Sequence, residues 1–119
     1  MGIRPALEQF GFTGRLASIP LARCSAGQRR RASLALLVAR GARLWLLDEP
    51  HAGLDQDGRD LLDELLAGSR AASRTVVFAS HELERATAIA DRTVHLAGGR
   101  VVEPPKTPES VEQAAAHVA

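Results

Sequence analysis

Two short apolar segments, each followed at once by ionisable residues, constrain the fold of this chain more than any other feature. Residues 43–47 (RLWLL) precede Asp48 and Glu49, and residues 74–80 (RTVVFAS) precede His81. Neither segment alternates apolar and polar residues, which favours strands covered on both faces in a parallel sheet. A helical pattern separates them, so the sequence predicts a β-α-β unit with a parallel crossover.

Helix boundaries are indicated by capping residues and apolar spacing. Ser25 suits the N-cap of one helix, and Gly41 suits its end. The stretch 16–24 is expected to be extended or irregular, because Pro20 disfavours helix at Ile19. We expect helices over about 5–10, 27–40, 55–67 and 82–91.

The C-terminal region reads as a hairpin followed by a tail. Residues 92–103 (RTVHLAGGRVVE) alternate on both sides of Gly98-Gly99 and predict a β-hairpin. Residues 104–119 are expected to be a flexible tail, with a weak helix near 109–118. The predicted fold is therefore α/β, with a parallel sheet core, flanking helices and a C-terminal β-hairpin.

Composition excludes several classes of function. The 119 residues are 45% hydrophobic with a net charge of +1, which suits one small domain or part of a larger one and gives no general reason to expect nucleic-acid binding. The arginines at 29–31 read as a solvated helix face. Because no stretch approaches the ~20 apolar residues of a membrane span, we expect no direct membrane insertion. The single Cys24 fits a reducing, cytoplasmic setting.

The residues at the ends of the two strands form the candidate site. Because the carboxyl ends of parallel strands share one edge, we expect Asp48, Glu49 and His81 to face the same crevice. Asp48 offers the hard oxygen ligands that Mg²⁺ prefers beside nucleotide phosphates. Glu49 can polarise a water for attack on a γ-phosphate, and His81 can hydrogen-bond that phosphate. Ser25 at a helix start, with Gly27, suits an anion site, so these parts together indicate a nucleotide triphosphatase.

The order and spacing of four motifs resemble the C-terminal half of an ABC-transporter ATPase. CSAGQ at 24–28 resembles the signature motif, and LWLLDEP at 44–50 resembles Walker B. AGLD at 52–55 resembles the D-loop, and His81 resembles the switch histidine. The resemblance covers about 20–103. Within the family, the motifs are most similar to those of the ATP-binding subunit of the haem exporter used in cytochrome c maturation.

This resemblance implies a role for each site residue. Asp48 resembles the Mg²⁺-site acid, Glu49 the catalytic base and His81 the γ-phosphate contact. Asp55 resembles the D-loop acid that links the two sites across a dimer. The signature residues, which in this family close over ATP held by the opposite subunit, are here Ser25, Ala26, Gly27 and Gln28.

The resemblance also implies an organisation and partners. Residues 1–41 would hold the end of the helical subdomain and the signature helix, 42–103 the part from Walker B to the hairpin, and 104–119 the tail. The implied cofactors are ATP and Mg²⁺. The implied partners are a transmembrane permease subunit and a second ATP-binding subunit, at the inner face of the cell membrane.

The P-loop motif G-x-x-x-x-G-K-[ST] does not occur in the sequence. In P-loop enzymes this Gly-rich backbone and its lysine hold the β- and γ-phosphates. We therefore expect the 119 residues alone to show no appreciable ATPase activity, and another stretch of polypeptide to hold the nucleotide.

Three alternatives stay open on sequence grounds. The first is a non-catalytic remnant or interaction module that docks on another ABC subunit. The second is an acyl hydrolase, because Ser25, Asp48 and His81 follow the chain order of the α/β-hydrolase triad. Arg23, however, stands where the first glycine of G-x-S-x-G should be. The third is a chromosome-maintenance or repair ATPase, although no sustained heptads occur.

Overall fold

The computed structural model describes residues 2–103 and 115–118, the last four by their backbone alone. Within these residues the α-helices are α1 (Ile3–Gln9), α2 (Ala26–Arg40), α3 (Gln56–Ala67) and α4 (Leu83–Ile89). The strands are β1 (Leu44–Asp48), β2 (Thr75–Ser80), β3 (Arg92–Ala97), β4 (Arg100–Val102) and β5 (Ala115–Val118). None of the described helices is both long and apolar enough to cross a membrane.

The chain divides into two compact units. The first unit comprises 1–42 and 51–62, and the second comprises 43–50 and 63–119. In the first unit, α1 packs against α2. Its buried apolar residues include Ala6, Phe10, Phe12, Cys24, Leu34, Ala35 and Leu54.

Helix α2 begins and ends where the sequence predicts. The Ser25 hydroxyl accepts a hydrogen bond from the Gln28 backbone N–H at 3.1 Å, and the Gln28 side chain accepts one from the Ser25 N–H at 2.8 Å. This reciprocal capping box satisfies two amide groups that the first turn leaves without helical partners. At the other end Gly41 has φ 61°, a left-handed conformation that costs glycine little.

All five strands belong to one sheet of the second unit, in the order β1-β2-β5-β3-β4. The pair β1–β2 is parallel, with Leu44 opposite Thr75 and Asp48 opposite Ala79. The other pairs are antiparallel. The hairpin of β3 and β4 turns at Gly98 and Gly99, whose φ angles of 55° and 73° fit a tight two-residue turn. The mixed α/β class, the parallel pair and the hairpin are therefore confirmed.

One local expectation is confirmed and another is wrong. Ile19, before Pro20, is extended with φ −76° and ψ 129°, and the rest of the irregular stretch holds short 3-10 helices at Gly14–Ser18 and Leu21–Arg23. The error is in the expected tail, where residues 115–118 form β5 between β2 and β3 and not a weak helix. The expectation for 104–114 lies outside the described residues.

The sheet packs on one face around Trp45, which is 1% exposed in β1. The Arg74 guanidinium lies over the indole ring at 3.8 Å from its centroid. Arg74 also donates to the Leu65 carbonyl at 3.0 Å, so its charge meets both a π face and a carbonyl dipole. Partial burial lowers the pKa of Arg74 from its ordinary value.

The prediction that β1 is covered on both faces is wrong within the described chain, because Leu44 and Leu46 are exposed. Successive side chains of a strand point to opposite faces, and only the Trp45 face is packed.

Candidate functional site

Glu49 lies directly after β1 and contacts the residue that directly follows β2. The Glu49 backbone N–H donates to the Ala79 carbonyl at 2.8 Å. The Glu49 carboxylate oxygen Oε1 accepts from the His81 backbone N–H at 3.1 Å and also contacts His81 Nδ1. The sequence prediction that these two side chains share a crevice is thus matched by their geometry, because parallel strands end at one edge.

The backbone at Glu49 adopts a conformation that few side-chain-bearing residues use. Its φ is 46°, in the left-handed region. A residue other than glycine pays about 1–3 kcal/mol for such a conformation, which persists only when the surrounding structure enforces it. Here the bonds from Ala79 and His81 hold the residue on both sides. In this conformation the Glu49 carboxylate is directed toward the end of β2. Backbone strain of this kind concentrates at functional sites.

The exposure of this pair suits chemistry on a bound molecule. The Glu49 side chain is 32% exposed and the His81 side chain 65% exposed, so both can reach a ligand.

Asp48 is exposed at the last position of β1. A carboxylate in that position has the right donor chemistry for Mg²⁺, which needs only one or two protein carboxylates when phosphates supply other ligands. The described residues contain no cluster of three or more ligating side chains.

The signature-like residues line a cleft of about 420 Å³ in the first unit. Its walls are formed by Phe10, Phe12, Leu16, Ser25, Gly27, Gln28, Arg31, Gly53 and Asp55. A Cβ atom at Gly27 would lie 2.9 Å from the Gly53 carbonyl oxygen, so only glycine allows this approach. Of the predicted signature and D-loop residues, Ala26 is exposed and does not line the cleft. The acidic pair with His81 belongs to the second unit, and each site is described by itself.

An ion pair that sequence analysis missed crosses this cleft. Arg31 Nη2 lies 2.6 Å from Asp55 Oδ1, and the same oxygen accepts from the Gly58 backbone N–H at 2.9 Å. Asp55 thereby caps the first turn of α3. The available signal for Arg31 was the run of arginines at the start of α2, where positive charge opposes the helix dipole and calls for an anionic neighbour. That signal does not identify which acid is the neighbour.

The environment of Asp55 favours its charged form. The Gly58 N–H, and next the Arg31 guanidinium, lower the pKa of Asp55 below its ordinary value of 3.8. A carboxyl group with a lowered folded-state pKa stabilises the fold above its unfolded-state pKa. That contribution disappears as the pH falls through the folded-state pKa, so it is lost only in acid.

Arg31→Ala is expected to raise the pKa of Asp55 toward its ordinary value, because one of its two partners is removed. The Gly58 N–H remains and limits the rise. The measurement is an NMR titration of the Asp55 carboxyl carbon in both proteins. Arg29→Ala, at an exposed arginine of the same helix, is the matched control and should leave the titration unchanged. An Asp55 titration curve that is identical in Arg31→Ala and wild type would contradict the ion pair.

The histidines at 51, 95 and 117 lack metal-ligand spacing, which predicts that they are surface residues, and this prediction is wrong for His51. His51 is 1% exposed. It follows Pro50 in the tight turn after β1, where its carbonyl accepts from the Leu54 N–H at 3.3 Å. Whether an imidazole is buried depends on the packing around it, which residue type alone does not reveal. His95 is half-buried in β3, and the side chain of His117 lies outside the described part.

Comparison with known proteins identifies three informative relatives. The chain is 49% identical over 78 residues to the cobalt import ATP-binding protein CbiO of Rhodobacter capsulatus. The matched segment covers 66% of the chain and 28% of CbiO. It is 49% identical over 76 residues to the cytochrome c biogenesis ATP-binding export protein CcmA of Paramagnetospirillum magneticum, covering 64% of the chain and 35% of that relative. It is 40% identical over 99 residues to the nickel import ATP-binding protein NikO of Rhodobacter capsulatus, covering 81% of the chain and 39% of NikO.

The matched part of the chain spans about a third of the length of these curated relatives. No family model matches the chain. Proteins named CcmA recur among the relatives, from Rhodospirillum rubrum and other bacteria. The predicted resemblance to ATP-binding subunits is confirmed, and both import and export proteins are among the homologues.

Proposed function

We propose that this chain, whose homologues are ATP-binding proteins of ABC transporters, provides the hydrolytic side of an ATP site whose phosphate-binding loop lies on another stretch of polypeptide. The observation that carries this proposal is the contact between Glu49 and His81 at the carboxyl ends of β1 and β2. It brings a carboxylate and an imidazole together at the edge where open α/β sheets bind ligands.

In the proposed reaction Glu49 acts as the general base. Its carboxylate accepts a proton from the attacking water while that water's oxygen bonds to the γ-phosphorus and the β–γ bridging bond breaks. His81 holds one carboxylate oxygen through its backbone N–H, which fixes the orientation of the base. The exposed imidazole of His81 would donate a hydrogen bond to a γ-phosphate oxygen. Mg²⁺ bound beside Asp48 would neutralise charge on the phosphates.

The cleft in the first unit has a separate role in the proposal. Ser25, Gly27 and Gln28 would contact the ATP held by a second ATP-binding subunit, and Asp55 would link the two sites. The amides at the start of α2 and the dipole of this 15-residue helix support anion binding at that end. The capping box between Ser25 and Gln28 uses the Gln28 N–H itself and holds the backbone of the first turn of α2 in place.

The proposed setting is a transporter at the inner face of the cell membrane, with a permease subunit as partner. Export, and haem as its cargo, is the finer proposal. It is supported by the motif resemblance and by the recurrence of CcmA among the relatives. Two relatives are named as cobalt and nickel import proteins, so hydrolysis by itself does not establish the direction of transport.

Hydrolysis is tested by combining this chain with a fragment of the Paramagnetospirillum magneticum relative that carries its phosphate-binding loop. We call this mixture the reconstituted complex. Phosphate release from ATP–Mg²⁺ is expected in the mixture and not in either polypeptide alone. Robust hydrolysis by the 119-residue chain alone would overturn the proposal. Complex formation with ATP bound but no hydrolysis would also overturn it, and would favour the non-catalytic module.

A further inference from the structure

Ser80 is a buried polar residue that has no part in the proposed reaction. It is the last residue of β2 and is 1% exposed. Val76 and Phe78, at the alternate positions on the same face of β2, are apolar and fully buried. A hydroxyl group in such surroundings is destabilising unless it has a hydrogen-bond partner. The choice of serine at this position therefore depends on the partner of its hydroxyl.

The Ser80 hydroxyl bonds to the backbone on the far side of His81. Its oxygen Oγ accepts a hydrogen bond from the Glu82 backbone N–H at 3.0 Å. A serine oxygen that accepts from the amide two residues further on forms a local turn of the side chain and the backbone. The one residue between the two ends of this turn is His81. We call residues 80–82 the serine turn.

Two successive amides of this segment bond to two different side-chain oxygens. The His81 N–H donates to Glu49 Oε1 at 3.1 Å, and the next N–H, of Glu82, donates to Ser80 Oγ. One residue before the turn, the Ala79 carbonyl accepts from the Glu49 N–H at 2.8 Å. The backbone is thus held on both sides of His81. With the backbone fixed, only a few staggered rotamers are open to the imidazole.

The backbone that leaves the serine turn is also anchored. Helix α4 begins at Leu83, and Arg85 Nη1 of this helix lies 2.6 Å from Asp63 Oδ2 of α3. Both side chains of this ion pair are half-buried, so salt screens the pair less than it screens a surface pair. The serine turn therefore lies between two fixed points, the end of β2 and the start of α4.

We propose that Ser80 is a positioning residue for His81. Its hydroxyl stabilises the serine turn, which keeps the backbone N–H and the imidazole of His81 against the Glu49 carboxylate. The inference rests on the proposed function for the catalytic role of His81 and on the hydrogen bonds for its placement. Because Ser80 is buried, it acts on a bound nucleotide only through its neighbour.

The alternative is that the bond only satisfies the buried hydroxyl of Ser80. In that case its removal lowers stability and leaves the contact between Glu49 and His81 unchanged. Ser69 gives the matched control, because it is 0% exposed and belongs to the same unit. Its hydroxyl donates to the Leu65 carbonyl at 3.1 Å and accepts from Arg74 Nε at 3.3 Å. Neither bond involves a residue of the serine turn.

The first test measures hydrogen exchange of the His81 backbone amide by NMR, in the chain without nucleotide. Ser80→Ala is expected to make this amide exchange about tenfold faster, because the turn loses the bond that closes it. Ser69→Ala is expected to leave the exchange rate within about twofold of wild type. Ser80→Thr retains the hydroxyl oxygen and is expected to retain slow exchange.

Thermal melting curves establish that each variant is folded. If Ser80→Ala does not fold, Ser80→Cys takes its place, because a thiol is close to the hydroxyl in size and is a weak acceptor. The same rate of His81 exchange in wild type and in the folded variant that lacks the hydroxyl would overturn the proposal. Equally fast exchange in Ser69→Ala would also overturn it, because the effect would then follow from lost stability alone.

The second test measures ATP hydrolysis by the reconstituted complex. Ser80→Ala is expected to lower kcat by about tenfold and to leave KM for ATP within about twofold of wild type. In a protein that already carries His81→Ala, the same substitution is expected to lower kcat by less than about twofold, because no imidazole is left to position. Equal losses of kcat in the two backgrounds would contradict a role through His81.

The two tests separate this inference from the proposed function. A wild-type complex that binds ATP without hydrolysing it defeats the proposed function, while amide exchange still decides whether Ser80 holds His81 in place. A complex that hydrolyses ATP, with His81 exchange indifferent to loss of the Ser80 hydroxyl, defeats only this inference.

Discussion

Glu49→Gln is expected to reduce ATP hydrolysis by the reconstituted complex by about 10²- to 10⁴-fold, the usual contribution of a general base. An amide cannot take the proton of the attacking water. Its carbonyl oxygen can still accept the His81 backbone N–H, so the contact between the two strand ends should persist. The substitution therefore removes the proton acceptor and preserves the contact between residue 49 and His81. The measurement is the steady-state rate of phosphate release at saturating ATP–Mg²⁺.

A matched control separates this effect from a general loss of charge. Glu64→Gln makes the same substitution at an exposed position of α3. It is expected to leave the rate of hydrolysis within about twofold of wild type, because surface changes of this kind have small effects. A reduction of less than about threefold in Glu49→Gln, or an equal reduction in both variants, would remove Glu49 from the role of base.

Phe78→Ala is expected to lower the free energy of unfolding by about 3–5 kcal/mol. Phe78 is fully buried in β2, and its truncation leaves a cavity beside the parallel pair. Because small domains are stable by only about 5–15 kcal/mol, such a loss takes a large share of the total. Urea denaturation followed by the fluorescence of Trp45 measures it directly, since Trp45 is buried and is the single tryptophan of the chain.

Val101→Ala is the companion to this experiment. Val101 is also an apolar residue of the sheet, in β4, but it is 72% exposed. Its truncation in the isolated chain is expected to change stability by no more than about 0.5 kcal/mol. Similar losses for Phe78→Ala and Val101→Ala would contradict the packing of the two faces.

Elements whose signals are local could be predicted from the sequence. Ser25 and Gly41 mark the ends of α2 because their cap interactions lie within a few residues. Gly98 and Gly99 mark the hairpin, since a two-residue turn needs positive φ angles there. The meeting of Glu49 and His81 was predictable for a related reason. Once two strands are parallel and neighbours, the residues that follow them share an edge.

Features that depend on distant residues were missed. The partner of Arg31 lies 24 positions away in the chain, and nothing in α2 specifies Asp55. The apolar run of β1 predicts burial on both faces. A run of leucines, however, does not show whether other elements of the same chain pack on each face of the strand. Strand β5 was missed because Ala115–Val118 has weak strand propensity and is held by its neighbours β2 and β3.

The most direct measurement of the central claim is a structure of the reconstituted complex, carrying Glu49→Gln to prevent turnover, with ATP–Mg²⁺ bound. We predict that the γ-phosphate lies between residue 49 and His81, within hydrogen-bond reach of the imidazole, with the metal beside Asp48. A nucleotide bound in the complex with its γ-phosphate out of reach of both residue 49 and His81 would contradict it.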